Sequence, residues 1–185
     1  TDTIDLSAVN QGATIFLTPG YWGFVGSQQA ATITSSGQVT VNFGSIIENL
    51  TGSSFADKLY GNDTDNLIAG GLGNDRLDGL AGNDVLIGGL GDDQLNGGVG
   101  IDTAQFEGSY DRYKTSNSQS AFIVTDKGSN GEGMDVLINV ERLKFLDKSV
   151  AIDLEGNAGK AVKVIGAVLG KEAVKNPGFV GIGLS

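Results

Sequence analysis

The chain has 185 residues, a net charge of -10, no cysteine and no histidine. Without cysteine there is no disulfide and no thiol nucleophile, and without histidine there is neither a Ser-His-Asp centre nor the commonest zinc ligand. The acidity argues against nucleic acid and anionic membranes as partners and points to cations.

Residues 1–51 are a predicted β flank or cap. The expected strands are Thr3–Leu6, Thr14–Leu17, Ala31–Thr34 and Val39–Phe43, bounded by Gly, Asn, Ser and the Pro19-Gly20 pair. Tyr21 and Trp22 follow that pair and are assigned to the core.

From Gly52 to Gln105 the chain divides without insertion into six nonapeptides: GSSFADKLY, GNDTDNLIA, GGLGNDRLD, GLAGNDVLI, GGLGDDQLN and GGVGIDTAQ. The third and fifth match G-G-x-G-x-D-x-U-x at every fixed position, where U is a large apolar residue. In the fourth, Leu80 replaces the second glycine; in the second, Asn66 replaces the aspartate. The segment contains nine Asp, no Glu and only Lys58 and Arg76 as cations, so it repels itself and lacks large apolar groups. The x-U-x triplets predict very short strands whose inward residues are Leu59, Ile68, Leu77, Leu86, Leu95 and Ala104.

These nonads resemble the RTX, or haemolysin-type, calcium-binding repeat family. The resemblance implies an all-β parallel β-roll in which two nonads form one coil. An 18-residue spacing then places Asp57, Asp75 and Asp93 on one edge, and Asn66, Asp84 and Asp102 on the other. Several Ca2+ ions are expected between stacked turns. Carboxylates of Asp57, Asp75, Asp84, Asp93 and Asp102 are the expected charged ligands, with Asn66 a weak one. The glycines complete the sites by admitting tight turns and close carbonyls: Gly70, Gly71 and Gly73; Gly79 and Gly82; Gly88, Gly89 and Gly91; Gly97, Gly98 and Gly100. The strongest sites are expected between Asp75 and Asp93 and between Asp84 and Asp102. Phe55 makes the first turn irregular.

The run DTIDLSAVNQGATIFLTPG, followed by IIENLTGS, also resembles the lead-in to the repeats of serralysin-type secreted metalloproteases. This likeness covers roughly residues 2–105. The His-Glu-x-x-His zinc helix of those proteases is missing, so the chain itself is expected to be no enzyme.

Residues 106–156 are predicted to form a second β cap, with strands over Ala121–Thr125, Asp135–Ile138 and Arg142–Phe145. Glu107 and Asp111 could form a carboxylate pair, but their spacing fits a hairpin corner equally well. Residues 157–185 have four Lys and one Glu, and the spacing of Ala161, Val164, Ile165, Val168 and Leu169 predicts a short C-terminal helix from about Ala158. This tail is read as a packing helix, a secretion signal or the start of a truncated module. No stretch is long and apolar enough to span a bilayer. The chain starts at Thr1 with no signal peptide in view, and is read as part of a longer protein.

Together these features point to a non-catalytic, calcium-triggered folding module of a secreted, extracellular bacterial exoprotein. Its expected partners are calcium ions and a type I secretion apparatus. The alternatives are a calcium-rigidified adhesin or surface-layer module, or a carbohydrate-binding module with a surface glycan as ligand.

Overall fold

The computed structural model describes residues 1–27, 37–117, 121–128 and 131–152. The strand expected at Ala31–Thr34 and the C-terminal helix lie outside the described residues. The other expected strands are present, with ends shifted by at most three residues.

Two sheets face each other. One contains β1 (Thr3–Asp5), β5 (Asn49–Thr51), β7 (Leu67–Leu72), β9 (Val85–Leu90), β11 (Thr103–Gln105), β15 (Arg142–Lys144) and β16 (Ser149–Ala151), in that order. The other runs β12 (Tyr113–Asn117), β13 (Phe122–Asp126), β14 (Met134–Ile138), β10 (Gln94–Asn96), β8 (Arg76–Leu80), β6 (Lys58–Asn62), β2 (Ala13–Phe16), β3 (Trp22–Val25) and β4 (Gln38–Thr40). Successive repeat strands alternate between the sheets. Each pairs in parallel with the strand 18 residues away, as Leu59 with Leu77 and Ile68 with Leu86. This is a parallel β-roll.

The period of two along each strand explains the core. Only the central residue of each triplet points inward. Leu59, Ile68, Leu77, Leu86, Leu95 and Ala104 are at most 1% exposed. The flanking residues face solvent or lie partly covered, except Asp78, which is buried.

The parallel ladder extends beyond the six nonads. On the N-terminal side β1 pairs with β5 and β2 with β6, so residues 3–16 form a coil whose inward Ile15 is fully buried. On the C-terminal side β14 pairs with β10 and β15 with β11, which brings Leu137 and Leu143 into the core. Each end coil is separated from the repeats by an excursion. The first includes the antiparallel β3–β4 hairpin; the second includes a 3-10 turn (Tyr110–Arg112) and the antiparallel pair β12–β13. Asp111 sits in that 3-10 turn and, like Glu107, is exposed.

Phe106, Tyr113 and Phe145 are buried together near the second excursion. Phe106 and Phe145 stack at 5.2 Å, and Tyr110 meets Phe145 edge-on. Tyr21 departs from the sequence expectation. It is 58% exposed and leans on Phe16 at 5.8 Å, because it lies at the hairpin turn beyond the sheet face.

Candidate metal centre

The turns between sheets stack along two edges. On the first edge lie the turns that end at Asp57, Asp75 and Asp93. On the second lie those that end at Asn66, Asp84 and Asp102. From each turn the aspartate reaches toward the previous coil.

One carboxylate oxygen of each aspartate has a structural task. Asp75 Oδ1 accepts the N–H of Asp57, Asp93 Oδ1 that of Asp75, Asp84 Oδ1 that of Asn66, and Asp102 Oδ1 that of Asp84, all at 2.7–2.8 Å. These bonds form two vertical ladders with an 18-residue step. The ladders continue past the repeats. Asp135 Oδ1 accepts from Asp93 N at 3.1 Å, and Glu141 Oε2 accepts from Asp102 N at 2.8 Å.

The second oxygen is different. Oδ2 of Asp75, Asp84, Asp93 and Asp102 is buried and has no hydrogen-bond partner among the described residues. An unpaired buried charge costs several kcal/mol, so such atoms call for a counter-charge. The environment reflects this. Burial pushes the Asp75 and Asp84 carboxyls up to about 7 and the Asp93 carboxyl up to about 6, with neighbouring carboxylates adding to the effect. Asp102 is raised for the same reason, and burial pushes Asp135 up to about 8.

Asp57 and Asn66 behave otherwise. Asp57 Oδ1 accepts from Ala13 N, and Oδ2 accepts from Ser53 N and Ser53 Oγ. Asn66 Oδ1 accepts from Asn62 N at 2.8 Å, and its amide lies toward the Ile47 and Glu48 carbonyls. Both side chains already have protein partners, with Asn66 accepting through Oδ1 and donating through its amide nitrogen. They terminate the ladders rather than offering a free oxygen.

The glycines serve two separate needs. A Cβ at the first glycine of a turn would collide with the free oxygen: at Gly79 with Asp84 Oδ2 and the Gly97 carbonyl, at Gly70 with Asp75 Oδ2 and the Gly88 carbonyl. Gly88 and Gly97 stand in the same place against Asp93 and Asp102. The later glycines supply left-handed backbone, as Gly73 does with φ 113°. Gly71, Gly82, Gly89, Gly91, Gly98 and Gly100 share that conformation. Leu80 adopts it as well, with φ 73°, in place of a second glycine.

Among the described residues no three acidic side chains converge on one point. The free oxygens instead lie one per turn, and those of Asp75, Asp84 and Asp102 share a glycine's Cβ position with a backbone carbonyl of the next coil. Hard carboxylate and carbonyl oxygens, without nitrogen or sulfur, are a donor set for calcium.

The family model described as RTX calcium-binding nonapeptide repeat, four copies, matches residues 44–77 and 70–104. The repeat segment is of the RTX calcium-binding family. Its RTX turns contain all four unpaired carboxylate oxygens; Asp135 and Glu141 lie outside the matched residues. Among solved structures the chain is similar to the extracellular lipase LipA from Serratia marcescens. The TM-score is 0.45 and the identity 23%, over 49% of this chain and 14% of the lipase. Comparison with curated proteins gave no match.

Sequence reasoning placed the aspartates by their spacing but missed Asp135, Glu141 and the donors on Ser53, Asn62 and Ala13. The signal for Asp135 was present as Gly131-Glu132-Gly133-Met134-Asp135, out of phase with the six nonads. Glu141 had no repeat signal, because its turn is shorter. Leu137 and Leu143 are six positions apart, where the repeats place inward residues nine apart.

Proposed function

We propose that this chain is a non-catalytic, calcium-triggered folding module of a secreted bacterial exoprotein, exported through a type I apparatus. The observation that carries this reading is the set of four buried carboxylate oxygens, on Asp75, Asp84, Asp93 and Asp102, that no protein donor satisfies. Calcium bound there supplies the positive charge and coordinates the oxygens. The chain's own residues do the rest. Each aspartate fixes the N–H of the previous coil and orients its second oxygen toward the next. The glycines bring carbonyls alongside.

Without the ion, the roll must bury four unpaired carboxylates around a core that takes one apolar side chain per strand. That balance favours the unfolded chain, so binding energy becomes folding energy. Where free calcium is low, as in a cytoplasm, the segment stays threadable; outside the cell it orders. Among the described residues no helix is long and apolar enough to cross a membrane. Far-ultraviolet circular dichroism during a calcium titration tests the reading: strand signal should rise with calcium and fall with chelator. A strand signal indifferent to chelator would sink it.

A second reading has its own observation. On the outer face of the second sheet, Phe16 and Tyr60 stack at 4.6 Å, with their planes 8° apart. Lys58 and Arg76, the only cations among the nonads, are register partners beside them. An aromatic platform flanked by cations suits an anionic glycan. Pull-down on acidic and neutral polysaccharides, with Tyr60→Ala as control, tests it; no retention on either would dismiss it.

A further inference from the structure

We propose that the calcium ladder has one further rung on the first edge, formed between the turn ending at Asp93 and the turn Gly131–Asp135. This proposal rests on the calcium-folding reading and extends it to residues outside the RTX match.

The geometry makes Gly131–Ile138 the last eight positions of a seventh nonad, displaced by the second excursion. Four kinds of turn bond recur there in order. Within the repeats, the residue after the aspartate donates to the aspartate carbonyl of the previous coil: Gln94 N to Asp75 O at 2.9 Å. Val136 N donates to Asp93 O at 2.8 Å. The inner glycine of one turn donates to the residue before the inner glycine of the next: Gly73 N to Leu90 O. Gly91 N donates to Glu132 O. The residue before the aspartate donates to its counterpart's side chain one coil back: Asp92 N to Asn74 Oδ1. Met134 N donates to Asp92 Oδ1 at 2.8 Å. Finally the aspartate ladder itself continues, from Asp93 N to Asp135 Oδ1. Gly133 has φ 83°, in the left-handed region of the inner glycines, and a Cβ there would strike the Gly91 carbonyl, as one at Gly91 would strike that of Gly73.

The independent pointer to an ion is Asp93 Oδ2. Asp93 is 1% exposed, and this oxygen has no partner. The direction it faces follows from its equivalents. The Cβ position of Gly70 lies against both Asp75 Oδ2 and the Gly88 carbonyl of the next coil. That of Gly79 lies against both Asp84 Oδ2 and the Gly97 carbonyl of the next coil. The free oxygens of Asp75 and Asp84 therefore lie toward the coil that follows, and Asp93 Oδ2 holds the equivalent place against the Cβ position of Gly88. For Asp93 the coil that follows is the one entered through Gly131–Asp135. The six nonads contain no turn there. The ligand class is a hard divalent cation of calcium type, held by Asp93, Asp135 and carbonyls of the two turns.

The test counts calcium in the full chain by native mass spectrometry at saturating calcium. Asp135→Asn keeps an oxygen for the Asp93 N–H but removes the charge, and should bind one equivalent fewer than the unaltered chain while giving the same strand signal. An equal count, with the same titration curve, overturns the proposal. An unaltered chain that binds no calcium at all overturns the folding reading itself, which separates the two failures. Should Asp135→Asn not fold, anomalous scattering from crystals of the unaltered chain in calcium decides. A peak beside Asp93 Oδ2 and the Gly133 turn supports the seventh nonad; a peak between Asp75 and Asp93 with none beyond Asp93 overturns it.

Discussion

The N–H of Asp75 donates to Oδ1 of Asp93 at 2.8 Å, while Oδ2 of that same Asp93 carboxylate has no protein partner. One side chain thus divides its oxygens between fold and ion. The division lets substitutions separate stability from binding, position by position.

Asp57 and Asp84 should separate in this way. Asp57→Ala strands the N–H of Ala13 and the N–H and hydroxyl of Ser53. We expect a loss of about 2 kcal/mol in calcium-saturated stability, the cost of leaving buried donors unpaired, with the calcium count unchanged. Asp84→Ala removes a free oxygen, and should raise the calcium midpoint at least about tenfold, the scale of a lost charged contact. Calcium titration followed by urea unfolding checks both. Equal midpoints for the two variants would contradict the assignment of Asp57 as a ladder terminus.

Proton and calcium should compete for the same oxygens. The folded-state carboxyls of Asp75 and Asp84 are pushed up to about 7, that of Asp93 to about 6 and that of Asp135 to about 8. In the unfolded chain these groups titrate near 4. A carboxyl raised on folding binds more protons folded than unfolded, so stability falls as pH rises. The contribution is fully present below about pH 4 and is lost as pH rises through about 6 to 8. In chelator, acidification from pH 8 to pH 5 should therefore increase strand signal. Near pH 7, calcium binding should release protons, measurable as a dependence of calorimetric heat on the buffer's ionisation enthalpy. Heat independent of buffer would count against it.

Leu80 occupies a left-handed turn position with φ 73°, and is 37% exposed. A bulky residue in that conformation costs roughly 1–2 kcal/mol, whereas asparagine tolerates it better. Leu80→Asn should stabilise the calcium-bound roll by about 1 kcal/mol, a rise in melting temperature of roughly 2–4 °C for a domain of this size. Calorimetric scans at saturating calcium measure it, and a lower melting temperature would refute it.

Phe145 anchors the aromatic cluster at the C-terminal end, with Phe106, Tyr110 and Tyr113 each at 5.2 Å. Phe145→Ala should cost about 3–5 kcal/mol through lost burial and the cavity left behind. Urea unfolding in calcium would show it as a lower midpoint with an unchanged slope.

Much of this was legible in the sequence because the repeat couples chemistry to geometry. Gly70-Gly71-x-Gly73-x-Asp75-x-Leu77 states a turn, an acid and an inward residue in a single phrase. The inward leucines followed from that phrase, and the fold class from its resemblance to the RTX repeat. What stayed hidden was the closing of the ladder. Asp135 stands 42 residues from Asp93, because the second excursion lies between them. The first coil has no glycine-aspartate phrase: Ile4 and Ile15 are 11 positions apart, and Ala13 offers a backbone N–H where the repeats place a carboxylate. Spacing rules cannot see a rung whose donor stands outside any glycine-aspartate phrase. The satisfied state of Asp57 was equally invisible, since it depends on Ser53 folding back within the turn.

The antiparallel excursions have a consequence for assembly. A stack of like coils has no intrinsic length, and an open parallel edge invites a second molecule to continue it. Here β4, β12 and β16 close three of the four described sheet edges, each running antiparallel to its neighbour. Only β16 presents reversed polarity; β4 and β12, each two antiparallel steps from the roll, run in the direction of its strands but stand outside its 18-residue repeat. The same residues that interrupt the repeat therefore cover three of the ends of the coil stack, and leave β1 as the described edge strand that still belongs to the parallel ladder.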